Sequence, residues 1–479
     1  MPQRNKLVRG TGWRYFTLRI SSTAMNRRSF VRAGAVAMAA RWPLARWPLA
    51  GALAVTRPSA AQLAWQRDEL AMFLHFGVNT FTDREWGDGK EAPAIFDPTR
   101  LDARQWARTA KDAGFRAMIL TAKHHDGFCL WPTATTKHSV ASSPWRGGGG
   151  DVVREFVDAC SAEGLRAGLY LSPWDRNHPS YGDSPAYNDV YAAQLTELLT
   201  RYGKITEVWF DGANGEGPNG RRQTYDWPRV FGIVRRLQPG AVIFSDAGPD
   251  VRWCGNERGV AGDPNWSTVD PKIVTYPGQS GAGIEAALQH GNESGSAWRP
   301  AEVDVSIRPG WFYHPAQDEK VRTIDNLVEL YFTSVGRNSK LLLNVPPTRD
   351  GLIHSVDASR LAGFRARRDE LFGAPIGMRR VGPRASRERE ARFEWELQRP
   401  ARPRIARLAE DITHGQRVAS YRIEGLRAGR WEELAAGSTI GYAKLDRLPD
   451  GAPVTRVRAM ITKWIDRPEP VSLQLFEAR

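Results

Sequence analysis

Two acidic side chains and three histidines in this chain have the residue types of a hydrolytic site. Asp211 ends the apolar run EVWFDG (207–212), where a carboxylate would be dry on one side and open above, as a nucleophile needs. The competing reading is a strand-end Asp that caps the next turn. Glu257 lies in the Gly-rich loop GPDVRWCGNERG, close to Trp253. Partial burial beside an aromatic raises a carboxyl pKa toward the range of a general acid. The alternative is a solvated Glu paired with Arg258. His75, His124 and His125 could ligate a metal or hydrogen-bond a polar substrate. The first apolar run offers one His followed by Phe76 rather than a His-x-His pair. Adjacent His at a strand end are expected to point to opposite sides, which makes a shared metal awkward. Hydrogen bonding to hydroxyls is the preferred reading, with no metal and no cofactor expected.

These groups need a scaffold that brings distant segments to one face. From residue 66 to 372, apolar runs at 71–77, 117–122, 167–172, 207–212, 241–246, 302–307 and 341–346 alternate with helical stretches at 102–115, 151–164, 187–202, 227–237 and 323–337. The stretch from 102 starts with Asp102 as N-cap and puts Trp106, Ala107, Ala110 and Phe115 on one face. Gly114 and Gly164 are placed to end two helices. Repeated β-then-α units of this size imply an α/β fold with a parallel sheet, and their number favours a (β/α)8-type barrel. The turn after the first run, His75-Phe76-Gly77-Val78-Asn79, lacks the phosphate-cradling glycines of a doubly wound dinucleotide fold. In a barrel, functional groups stand at the C-terminal strand ends. Polar and aromatic residues follow at least six of the runs: His75 with Glu85-Trp86, His124-His125, Trp174-Asp175, Asp211, Asp246 with Trp253 and Glu257, and Arg308 with Trp311. Beyond 374 the pattern shifts to short alternating segments (391–397, 419–426, 455–462, 471–477), which read as a small C-terminal antiparallel β-sandwich. The expected division is a leader at 1–61, a barrel at 62–372 and a sandwich at 373–479.

Taken as a set, FLHFGVNTFTDREWGDG, KHHDGFCLWPT, GLYLSPWDRN, VWFDGANG, GPDVRWCGNERG, IRPGWFYH and LLLNVPP resemble the α-L-fucosidases of glycoside hydrolase family 29 over residues 65–372. The resemblance implies a retaining exo-α-L-fucosidase whose partner is a fucosylated glycan or oligosaccharide. It implies Asp211 as nucleophile and Glu257 as acid/base. His75, His124 and His125 would hold fucose hydroxyls, Trp209 would line the pocket, and Glu85 and Trp86 would contact the sugar. Arg308 and Trp311 would complete the site, with Trp311 near the C6 methyl. The form GPDVRW-x-GNE is similar to the subgroup favouring α-1,3 and α-1,4 linkages. The other readings are a non-catalytic glycan-binding barrel and a metal-dependent barrel hydrolase.

Composition narrows the partners. The formal charge is +14, but residues 1–61 hold eleven Lys or Arg and no Asp or Glu; +14 less those eleven leaves +3. Basicity belongs to the leader and gives no ground for nucleic-acid binding. From Met25 the sequence MNRRSFVRAGAVAMAA has the layout of a twin-arginine export signal. The small residues Ser59-Ala60-Ala61 would suit a signal peptidase. Export to the periplasm or the extracellular space is expected, without stable membrane insertion, because Arg41, Pro43, Arg46 and Pro48 interrupt the apolar stretch. Cys129, Cys160 and Cys254 make no disulfide framework and read as packing residues. Eighteen Trp suit a sugar cleft and equally a core.

Overall fold

In the computed structural model, which describes residues 55–387 and 390–477, each apolar run before residue 372 contains a strand. These are β1 (Leu70–Leu74), β2 (Ala117–Lys123), β3 (Arg166–Leu171), β4 (Glu207–Trp209), β5 (Val242–Phe244), β7 (Ala301–Ser306) and β8 (Lys340–Asn344). The sequence reading missed β6 (Arg252–Trp253), which is two residues long and has no periodicity to detect. The strands form one parallel eight-stranded sheet in the order β5-β4-β3-β2-β1-β8-β7-β6, and a parallel bridge between Phe244 and Val251 joins its two ends. The result is a (β/α)8-type barrel.

Strand alternation sorts the side chains. Met72, Leu74, Met118, Leu120, Leu169, Leu171, Val208 and Ile243 face outward into the core beneath the helices. Ala71, Phe73, Ala117, Ile119, Tyr170, Trp209, Val242, Phe244 and Leu342 face inward and fill the barrel. Inward positions below this layer carry Glu207, Glu302 and Lys340; the Lys340 ammonium lies 3.0 Å from Glu207 and 3.8 Å from Glu302. Inward positions above it carry the polar groups of the site.

The helices form where caps and spacing place them. Asp102 accepts from the backbone N–H of Arg104 and Gln105, and Ala103, Trp106, Ala107 and Ala110 are the buried face of Ala103–Asp112. Gly164, at φ 73°, closes Val152–Glu163, in which Cys160 is buried. Cys129 and Cys254 are buried as well. The sequence reading did not anticipate α1 (Ala60–Gln66). Ser59 and Gln62 form its capping box, and the helix begins within the small residues 59–61. Gln62 Nε2 donates to the carbonyls of Asp250 (2.8 Å) and Trp298 (2.6 Å), and Trp65 Nε1 donates to Glu207 (2.9 Å). Helix α1 thereby closes the N-terminal end of the barrel. The twin-arginine segment lies outside the described residues, among which no helix is long and apolar enough to cross a membrane.

Two antiparallel sheets follow the last barrel helix, Ser355–Leu371. The larger runs in the order Met378–Arg387, Glu390–Ala401, Val454–Trp464, Val418–Arg427, Arg430–Gly437; the smaller runs Lys444–Arg447, Ile405–Ala409, Ser472–Phe476. Inward residues such as Phe393, Ile423, Val457, Leu408 and Leu475 share one apolar core, giving a β-sandwich. Glu69, just before β1, ties it to the barrel. Its Oε1 lies 2.6 Å from Arg407 and accepts from the Tyr442 hydroxyl at 3.0 Å.

Candidate active site

Asp211 lies two residues beyond Trp209 and so keeps the inward parity of β4. Its Oδ1 accepts the N–H of Ala213 at 2.6 Å, and its Oδ2 accepts the Tyr170 hydroxyl at 3.1 Å. The side chain is 27% exposed, leaving it open above. Burial, and then the charge of Asp211, push the Tyr170 phenol well above its usual range, so it remains a donor. Tyr170 did not figure among the expected site residues, although alternate positions in GLYLS set Tyr170 and Ser172 on the inner face.

His75, His124 and His125 are buried around this carboxylate. The ring of His124 lies 5.5 Å from that of His75 and 4.1 Å from that of His125, and His125 Nε2 is 3.9 Å from Asp211 Oδ2. The adjacent pair therefore does not splay to opposite sides. The β2–β3 register shifts between Thr121 and Lys123 and the strand ends before His124, so strand alternation no longer governs the two rings.

The hydrogen-bond network fixes two tautomers. Asn344 Nδ2 donates to Ser306 Oγ (2.9 Å) and to the Trp311 carbonyl (2.8 Å), which leaves its Oδ1 as acceptor for His75 Nδ1 at 2.9 Å. Ser172 donates its only proton to the Trp174 carbonyl (2.8 Å), so its oxygen accepts from His125 Nδ1 (2.8 Å). Each ring then presents Nε2 as an acceptor. Burial drives His75 down to about 3, with the Asn344 bond opposing. Burial also lowers His124 and His125, the latter against the charge of Asp211. Neutral imidazoles with free acceptors suit hydroxyl groups.

Glu257 stands at the exposed rim. Burial of its carboxyl, together with the charges of Asp211 and Glu85, raises its pKa, while a hydrogen bond from Trp311 opposes the rise. The neighbouring carboxylates support that direction even though the residue as a whole is exposed. Beneath it, Trp253 Nε1 donates to Asp304 at 2.7 Å. Burial first, then the charge of Glu257, pushes Asp304 well above the usual carboxylate range. Asp304 is a third carboxyl of the cluster, inward on β7, and went unnoticed inside the run EVDVSI.

The remaining expected residues divide. Trp209 is buried beneath the pocket, stacked at 4.1 Å on Phe244 and donating to Glu302 at 3.1 Å. Trp311 lies against the ring of His75 at 5.0 Å. Glu85 accepts from the N–H groups of Trp311 (2.8 Å) and Phe312 (3.3 Å) and lies 2.6 Å from His314 Nε2. A Cβ on Gly310 would meet Glu85 Oε1 at 2.0 Å, so that glycine lets the carboxylate reach the loop. Trp86 is 60% exposed, with its ring near those of His125 and Trp174 at 6.1 and 6.0 Å. Arg308 is held by two carboxylates. Its guanidinium is buried between Asp357 and Asp318, at 2.8 Å from each, and covers the ring of Tyr313. A buried cation needs such partners, so Arg308 is held behind the Trp311 loop through Nε and Nη1, while its buried Nη2 has no hydrogen-bond partner among the described residues. Lys123 and Asp175 likewise pair with each other, at 3.2 Å, outside the barrel.

Residues 83–365 match the family model described as Alpha-L-fucosidase. Alpha-L-fucosidase 1 of Arabidopsis thaliana is 45% identical over 424 residues, covering 81% of each chain. A glycoside hydrolase 29 family member from an unknown rumen bacterium superposes with a TM-score of 0.81 at 39% identity, over 89% of this chain and 78% of that one. A GH29 fucosidase of Ruminococcus gnavus, solved in complex with fucose, superposes with a TM-score of 0.79 at 29% identity, over 88% and 95%.

Proposed function

The chain belongs to the α-L-fucosidase family, and from that premise we propose that Asp211 and Glu257 cleave terminal α-L-fucose by double displacement with retention. The enzyme is a glycoside hydrolase acting on fucosylated glycans or oligosaccharides. The observation that carries the assignment is the unlike setting of the two carboxyls. Asp211 is held as an acceptor by Tyr170 and Ala213, while Glu257 sits among negative charges that favour its protonated form. An aimed acceptor beside a carboxyl whose protonated form is favoured suits the roles of nucleophile and acid.

In the first step Asp211 forms a bond to the anomeric carbon, the glycosidic C–O bond breaks, and the proton of Glu257 passes to the leaving oxygen. In the second, Glu257 takes a proton from water, the water oxygen bonds to the anomeric carbon, and Asp211 departs. His75 and His125 would accept from sugar hydroxyls through Nε2. The 3.9 Å between His125 and Asp211 is a span that one hydroxyl could bridge. Trp311 and Trp86 would flank the ring, and Glu85 would hold the Trp311 loop in place. A retaining pair stands about 5–5.5 Å apart. The GNE loop supports a preference for α-1,3 and α-1,4 linkages.

NMR of the first-formed sugar tests the mechanism: α-fucose is expected, and initial β-fucose would refute retention. A panel of linkage-defined fucosides tests the preference, which fails if α-1,2 substrates turn over as fast as the 1,3 and 1,4 series.

A further inference from the structure

Beyond the fucose pocket, the segment 273–281 stands beside the nucleophile and presents an aromatic ring to solvent. Ile273 and Val274 root it in an apolar cluster that also packs Trp253. Gln279 closes it on itself: Oε1 accepts from the Thr275 N–H (2.9 Å) and hydroxyl (3.1 Å), and Nε2 donates to the Ile273 carbonyl (3.3 Å). The Gly278 N–H donates to Asp246 Oδ2 at 2.7 Å. Gly278, at φ 82°, lies so near Gly212 that a Cβ would meet the Gly212 carbonyl oxygen at 2.2 Å. The segment is thus pinned one residue from Asp211. At its tip Tyr276 is 54% exposed.

Holding an aromatic side chain in water on a loop closed at both ends has no packing benefit in the free protein. A backbone closed in this way loses little further freedom when a ligand covers its tip. The segment shares its apolar root with Trp253, which leads into the Glu257 loop. An acid that protonates the leaving oxygen must face the leaving group, so this wall borders the part of the substrate beyond fucose.

We propose that Tyr276 is a stacking platform for the sugar that carries the fucose, and that Asp246 is the positioning residue that holds it there. The proposal rests on the fucosidase reading above. The apolar face of a pyranose laid on the Tyr ring would favour an oligosaccharide over a substrate without an aglycone sugar.

The test compares kcat/KM on a fucosylated trisaccharide with kcat/KM on α-L-fucosyl fluoride, whose leaving group cannot reach Tyr276. In Tyr276→Ala the ratio of the two should fall about tenfold, a usual loss for truncating a well-placed aromatic contact, mostly through KM for the trisaccharide. Tyr276→Phe, which keeps the ring, should restore it, and Asp246→Ala should shift it in the same direction as Tyr276→Ala. A ratio within twofold of the parent enzyme in Tyr276→Ala, or no restoration by Phe, overturns the proposal. Failure of the parent enzyme to hydrolyse fucosyl fluoride would count instead against the fucosidase reading.

Discussion

A carboxylate that attacks carbon must be aimed, and Asp211 has a donor on each oxygen. Asp211→Gly should lower turnover by several orders of magnitude. Added azide should restore part of it and give β-fucosyl azide if Asp211 is the nucleophile; absence of that product would speak against the role. His75 shows burial selecting a protonation state. Its pKa is about 3 when folded and about 6.5 when unfolded. Between those values the unfolded chain binds the extra proton, so stability rises with pH across the window and is lost as pH falls through it. The slope from this residue is about 1.4 kcal/mol per pH unit. His75→Gln should flatten the decline of Tm between pH 6 and pH 4; an unchanged profile would contradict a neutral His75. Asn344→Ala removes the acceptor that fixes the tautomer and should raise KM by roughly one order of magnitude, given about 1–3 kcal/mol for an unmatched buried donor.

At the level of the elements, the barrel was legible because its strands are apolar runs with helical stretches between them. Asp211 and the three His were legible because they stand where those runs end. What escaped were residues inside the runs. Tyr170, Asp304 and Asn344 sit among Leu and Val, and only the alternation of a strand already known to face a barrel interior picks them out. For Arg308 the position after β7 was legible but its partners were not, because the direction of a long side chain depends on Asp318 and Asp357, which lie on other segments. The loop that Arg308 and Glu85 hold between them is itself testable. Glu85→Ala leaves the N–H groups of Trp311 and Phe312 without their acceptor, a change worth about 1–3 kcal/mol. On the proposed assignment of the Trp311 loop to the fucose, it should raise KM alike for fucosyl fluoride and for oligosaccharides. A selective loss on oligosaccharides would put Glu85 on the other side of the scissile bond.

For the whole molecule, the contact between barrel and sandwich is ionic where it meets β1. Burial pushes Glu69 up, but the charge and hydrogen bond of Arg407, with the hydroxyls of Tyr331 and Tyr442, hold it below its usual range. A depressed carboxylate stabilises above its unfolded pKa of about 4.3, and that contribution is lost as pH falls through the folded value. Glu69→Gln should lower stability near neutral pH by about 2–4 kcal/mol and by less in acid, as read from denaturant midpoints; a constant difference across pH would exclude an ionic origin. The sandwich was legible only in its outline: Met378–Arg387, Ile405–Ala409, Arg430–Gly437 and Lys444–Arg447 lie outside the alternating segments that read as strands. Helix α1 was not legible, because it begins among small residues that read as the end of a signal. Its seating has a temporal consequence. Gln62 and Trp65 find their partners at Asp250, Trp298 and Glu207, well over a hundred residues downstream, so the helix is synthesised early and docks late. Closing loops of that length costs chain entropy, and the helix cannot seat on the barrel before the segments that carry Glu207, Asp250 and Trp298 are made.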